Sequence, residues 1–206
     1  MGLTVILLNA MAESATPKEI DAWPVLEYPA VRHNLESGDL VFCSGRYFFS
    51  GLIQKVTRSV WSHCGIIYKD PTLNRVFVLE SEVMIGVRLV PLSKYLKDYH
   101  GRRRAYQGRI VIGRVHPVPE AEKIRRAISF GMDELTKPYD NWEILRILVR
   151  TLLGKGRRTR DRKYICSELV QECFRHAGIV FPYVRRSISP DDIWKDERVL
   201  SVCRIL

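Results

Sequence analysis

Two short β-prone segments, Ser62 to Tyr68 and Val76 to Glu80, flank the run Lys69-Asp70-Pro71-Thr72-Leu73-Asn74-Arg75. Pro, Asp and Asn supply turn chemistry, so the segments are predicted to pair as an antiparallel hairpin. This hairpin constrains the fold most, because side chains alternate faces along a strand and pairing decides which residues meet. Pairing Ile67 with Val76 sets His63 directly opposite Glu80, with Cβ atoms about 4.5–5.5 Å apart, close enough for an imidazole–carboxylate hydrogen bond. A shift of two residues substitutes Glu82, which shares that face. A carboxylate there fixes the ring tautomer and stabilises the imidazolium, although cross-strand His–Glu pairs also serve as plain structural contacts.

Around the hairpin the pattern is strands first and helices after. Residues 13–36 contain Pro17, Pro24 and Pro29 and read as an irregular lead-in. Gly38-Asp39 punctuates a strand at Leu40–Cys43, and residues 47–57 read as a short helix weakened by Gly51. A third strand is expected near Val83–Val90, a helix near Leu92–Asp98 and a strand at Arg109–Val115. Ala121, Ile124, Ala127, Ile128 and Met132 follow one helix face, and Trp142–Leu153 is a second, strongly apolar helix. A third helix is expected from Cys166 to Ala177, stopped by Gly178, and Ser189-Pro190 has the form of a further helix start. The fold class is therefore α+β, an antiparallel β-sheet packed against helices.

Composition narrows the partners. The chain has 206 residues, and 33 Lys+Arg against 23 Asp+Glu leave a formal charge of +10. Half of the excess sits in residues 155–163, where Lys155, Arg157, Arg158, Arg160, Arg162 and Lys163 face one acid. Arg102-Arg103-Arg104 and Arg185-Arg186 add smaller clusters. Such a loop binds an anionic polymer or a membrane surface, or simply stays solvated. No zinc-finger or RNA-binding signature accompanies it, so no specific nucleic-acid recognition is expected. No apolar run approaches the ~18 residues of a spanning helix. Five scattered cysteines are too few for a disulfide scaffold and cannot all pair, which points to a reducing compartment. The apolar run Leu3–Leu8 has no preceding cation and reads as a first strand or a loose end. The expected location is cytoplasmic, or outside the cell by release without a cleavable signal peptide.

Cys166 opens the third late helix, whose inward stripe is Cys166, Val170, Cys173 and Ala177. A cysteine at a helix N-terminus sits where unpaired amides and the helix dipole favour the thiolate, and those amides can also bind an oxyanion. Cys64 and Cys173 read as core cysteines. No ligand spacing for a metal is found, and no organic cofactor is expected.

Five pieces occur in order: Gly38-Asp39-Leu40-Val41-Phe42, Ser62-His63-Cys64-Gly65-Ile66-Ile67, Val78-Leu79-Glu80, Lys137-Pro138-Tyr139-Asp140 and Tyr164-Ile165-Cys166-Ser167-Glu168-Leu169-Val170. Together they resemble the circularly permuted NlpC-like branch of the papain superfamily, within it the YiiX-like group, in which the histidine precedes the cysteine. The likeness covers roughly residues 36–195. It implies a permuted papain-like thiol hydrolase domain over 36–206, after a lead-in of 1–35. It also implies Cys166 as nucleophile, His63 as general base and Glu80 as the residue orienting it, with Tyr164 and Ser167 lining the site or supporting the oxyanion. The substrate implied is a peptide or acyl-amide, such as a cell-wall-type peptide or an acyl-amino acid. A second permuted relative, the lecithin–retinol acyltransferase family, implies lipid acyl groups instead. A third reading is a non-catalytic anion-binding module built on 155–163.

Overall fold

The first strand, β1 (Leu40–Gly45), is buried along its whole length. It reads as a continuous apolar run because both of its faces are covered and both of its edges are paired. The structure, a computed structural model, describes residues 16–82, 85–136, 165–183 and 187–206. Within them α1 (Pro17–Ala22) and α2 (Tyr28–Val31) precede β1, and α3 (Phe48–Thr57) follows it. Next come β2 (His63–Asp70), β3 (Arg75–Glu82), β4 (Gly86–Pro91), α4 (Leu92–Lys97) and a short 3-10 turn at Tyr99–Gly101. The described chain ends with β5 (Gly108–Val115), α5 (Ala121–Asp133), α6 (Cys166–His176), α7 (Pro190–Trp194) and β6 (Val199–Arg204).

The strands form one sheet in the order β4-β3-β2-β1-β5-β6, every neighbour antiparallel. Alternation along the strands sends Leu40, Phe42, Cys64, Ile66, Leu79 and Val111 to one face, where α5 and α6 cover them. Val41, Cys43, Ile67, Val78, Ile110 and Ile112 go to the other face, beneath Val31 of α2 and Leu92 and Tyr95 of α4. This is the α+β class expected from the sequence.

Two local expectations change. The stretch read as irregular carries α1, because Pro17 stands at a first helical position and Thr16 and Glu19 form a capping box. Ile20 of that helix is fully buried in the core. Strand β6 was not foreseen, and it pairs with β5 to complete that edge of the sheet. The expected helix Trp142–Leu153 lies outside the described residues.

The helical layer approaches the sheet closely at Gly131 of α5. A Cβ built there would stand 2.5 Å from Leu79 Cδ2 and 2.9 Å from Cys173 Sγ. Gly131→Ala is expected to overpack this junction and cost about 1–3 kcal/mol of unfolding free energy, read as a lower urea midpoint. An unchanged midpoint would mean that α5 and α6 are free to back away from β3.

Candidate active site

Ser62 anchors the start of β2. Its hydroxyl accepts from the Gly45 amide at 3.0 Å and donates to the Cys43 carbonyl at 3.2 Å, holding His63 at the end of the sheet where β1 finishes. The hairpin register differs from the direct His63–Glu80 opposition expected from the sequence. Pairing runs from Asp70↔Arg75 to Ile66↔Leu79, displaced by two residues. The turn is the cause. Asp70 Oδ1 accepts the amides of Thr72 and Leu73, each at 2.8 Å, and Asn74 takes φ 48°, closing a four-residue loop.

Glu80 still reaches the histidine, because a shift of two preserves the face. It stands beside Gly65, where an added Cβ would lie 3.2 Å from Glu80 Cβ and 2.8 Å from Val78 Cγ1. The bare glycine leaves Glu80 room to approach His63 across the sheet. His63 Nε2 donates to Glu80 Oε2 at 2.5 Å, so the carboxylate partner is Glu80 and not Glu82.

Glu80 is completely buried and has two further donors. Arg88, its cross-strand neighbour on β4, donates through Nε to Oε1 at 2.7 Å, and the Tyr95 hydroxyl of α4 donates to Oε2. Burial pushes the carboxyl upward, but the His63 charge and hydrogen bond, then Arg88 and Tyr95, outweigh it and bring it to about 2. Burial likewise disfavours the imidazolium, yet Glu80 and the hydrogen bond to Cys166 carry His63 up to about 10.

Cys166 is the first residue of α6 and remains partly exposed, whereas the other four cysteines are buried. The His63 ring is hydrogen-bonded to Cys166 as well as to Glu80. A hydrogen bond from the Cys64 thiol is the largest influence on Cys166. Burial opposes it, and the His63 hydrogen bond and charge, with the Cys64 amide, bring Cys166 well below the usual thiol range. Burial, then the bond to Cys166, pushes Cys64 well up, which keeps it a thiol and a donor. Both shifts favour the thiolate–imidazolium form of the pair.

Ser167, which the resemblance made a lining residue, is turned inward. It is fully buried, and its hydroxyl donates to the Ile188 carbonyl at 2.7 Å, because its position on α6 faces the core. Tyr164, the cluster 155–163 and Arg185-Arg186 lie outside the described residues. Arg102, Arg103 and Arg104 are exposed. Cys64, Arg88 and Tyr95 are the site neighbours that sequence reasoning missed. Arg88 could have been found by extending the hairpin to its third strand.

Residues 34–193 match the family described as permuted papain-like amidase enzyme, YaeF/YiiX, C92 family. The chain belongs to this family. It is thus a member of a cysteine amidase family, on the permuted papain-like fold. The fold is also that of the crystal structure titled metalloprotein yiiX from Escherichia coli O157:H7, with a TM-score of 0.52 and 21% identity over 82% of this chain and 88% of that one. Protein OPG091 of Monkeypox virus is 26% identical over 142 residues, which are 69% of this chain and 66% of that protein. The chain therefore spans just under two thirds of that curated relative's length. Among its described residues, no group of three or more His, Cys, Asp or Glu is placed to hold a metal ion, and no helix is long and apolar enough to cross a membrane.

The perturbed pair sets a pH dependence. Raised from 6.5 to about 10, His63 contributes stability that is complete below 6.5 and lost as pH rises through 10. Cys166, lowered from 9.0, contributes stability that is complete above 9.0 and lost as pH falls through its folded value. Between 6.5 and 9.0 the proton held by His63 offsets the one given up by Cys166, so their joint contribution is level. In Cys166→Ser only the histidine half remains. Its unfolding free energy is expected to fall relative to wild type as pH rises from 6.5 to 9, followed by urea titration. Parallel pH profiles would contradict the ion pair.

Proposed function

We propose that this amidase cleaves an amide bond through a thioester on Cys166, with His63 as acid and base and Glu80 as the residue that positions it. The observation that carries the reading is the fully buried Glu80 carboxylate, which holds one nitrogen of His63 while the ring meets a cysteine at a helix N-terminus.

The Cys166 thiolate attacks the carbonyl carbon, and the carbonyl oxygen becomes an oxyanion. The first-turn amides of α6 are available to hold it, since Ile165 at the N-cap offers no side-chain hydrogen bond. His63 gives its proton to the leaving nitrogen as the C–N bond breaks. Water then enters, the neutral ring accepts its proton, and collapse of the second tetrahedral intermediate restores the thiolate and releases the acid. Cys64 donates to the sulfur at rest and tempers its charge.

For the substrate, the family description supports an amide, and we propose a short peptide or acyl-amino acid. A lipid acyl group is the second reading, favoured by the aromatic side chains exposed on α3 at the His63 end of the sheet. A panel of peptide amides, acyl-amino acids and lipid esters assayed with wild type, Cys166→Ala and His63→Ala tests both. The expectation is hydrolysis of an amide by wild type, none by Cys166→Ala, and a loss in kcat of about 10²–10⁴ for His63→Ala. An acyl group should be trapped on Cys166 by acid quench and mass spectrometry. Turnover that survives Cys166→Ala would overturn the assignment.

A further inference from the structure

Helix α3 joins the end of β1 to the start of β2, so it lies at the end of the sheet that carries His63. Gln54 clamps it there, donating to Gly45 and Val60 carbonyls at 3.2 and 2.9 Å. Its outer surface is unlike that of the other helices. Phe48 is 82% exposed, the most exposed large apolar side chain among the described residues, and Phe49 beside it is 39% exposed. The two rings pack edge to face, 5.5 Å between centroids, and form a small aromatic prominence.

Cations predominate around it, with Asp21 near Arg46 as an acidic neighbour. Arg46, Lys55 and Arg58 are exposed, and no acidic residue occurs from Leu40 through Lys69. Six cations on or at the end of other helices are paired within a turn: Lys94 with Asp98, Lys123 with Glu120, Arg125 and Arg126 with Glu122, Arg175 with Glu172, and Lys195 with Asp191. Lys55 and Arg58 have no acidic residue within a turn to pair with. Arg46 and Arg58 also border a cleft of about 550 Å³ whose lining includes Ser44 and Gln54, a third cation, Arg109, and one acid, Asp191.

We propose that α3 is an interfacial element that docks the enzyme on an anionic lipid bilayer. Phe48 and Phe49 enter the headgroup and acyl boundary, while Arg46, Lys55 and Arg58 take up lipid phosphates. Exposed aromatic rings flanked by solvent-exposed cations are what such an interface requires, and a purely polyanionic partner such as a nucleic-acid duplex would leave the two phenylalanines without a role. Docking this way turns the His63 end of the sheet toward the bilayer. The inference stands apart from which bond Cys166 cleaves.

The test is co-sedimentation of the full chain with phosphatidylcholine vesicles, with and without phosphatidylglycerol, at low and high salt. Three variants accompany wild type: Phe48→Ser with Phe49→Ser; Arg46→Gln, Lys55→Gln and Arg58→Gln; and Lys123→Gln, Arg125→Gln and Arg126→Gln on α5 as a control of equal charge change. Wild type is expected to bind the anionic vesicles in a salt-sensitive way. The aromatic variant should lose at least about tenfold in partitioning, and the α3 charge variant on the order of a hundredfold. The α5 control should lose far less than the α3 charge variant. The proposal is overturned if wild type ignores anionic vesicles, or if the aromatic variant binds like wild type. It is also overturned if α3 and α5 neutralisation have equal effects, which would assign binding to net charge, including that of residues 155–163.

Discussion

A carboxylate with no access to water stays ionised only where fixed donors replace its hydration, and Glu80 is such a group. His63, Arg88 and Tyr95 supply those donors from β2, β4 and α4. Three separate elements thus converge on one side chain. The charge they stabilise also raises His63, and His63, after Cys64, helps to lower Cys166. Removing any donor would leave part of a buried charge unpaired, so order on that face of the sheet depends on this interaction.

Cys166 reaches that end from the opposite face. Its helix packs on Leu79, Ile66 and Cys64, and the histidine arrives from the carboxylate side, so the thiol and ring meet at the strand termini. Close contact of α5 with Leu79 and Cys173 at Gly131 holds the helical layer down. Arg88 cross-braces Glu80 from β4. The rigidity that catalysis needs comes from sheet register and helix packing rather than from loops.

Much of this was legible in the sequence where local chemistry was strong. The turn residues announced the hairpin, the apolar stripe announced α6, and Gly178, at φ 78°, ends that helix as expected. The His63–Glu80 pair was also legible, although for a partly mistaken reason. The register was misjudged by two because the Asp70 turn closes four residues, yet the face survived because strand periodicity is two. What remained hidden depends on tertiary placement. Cys64 was assigned to the core by its alternation, and nothing local shows that Cys166 comes down beside it. Tyr95 is an ordinary helical residue until α4 folds onto β3. Strand β6 was overlooked because its pairing partner, β5, lies far away in sequence.

The central claim is that Glu80 and His63 activate Cys166, and the pH dependence of Cys166 alkylation by iodoacetamide tests it most directly. Peptide mass spectrometry on wild type, His63→Ala and Glu80→Gln would follow Cys166 against buried Cys43 and Cys203. In wild type, Cys166 should react fastest and titrate well below the free-thiol value of about 8.5. The shift should shrink in Glu80→Gln and largely vanish in His63→Ala. A Cys166 that titrates as an ordinary thiol in wild type, or keeps its shift without His63, would contradict the account.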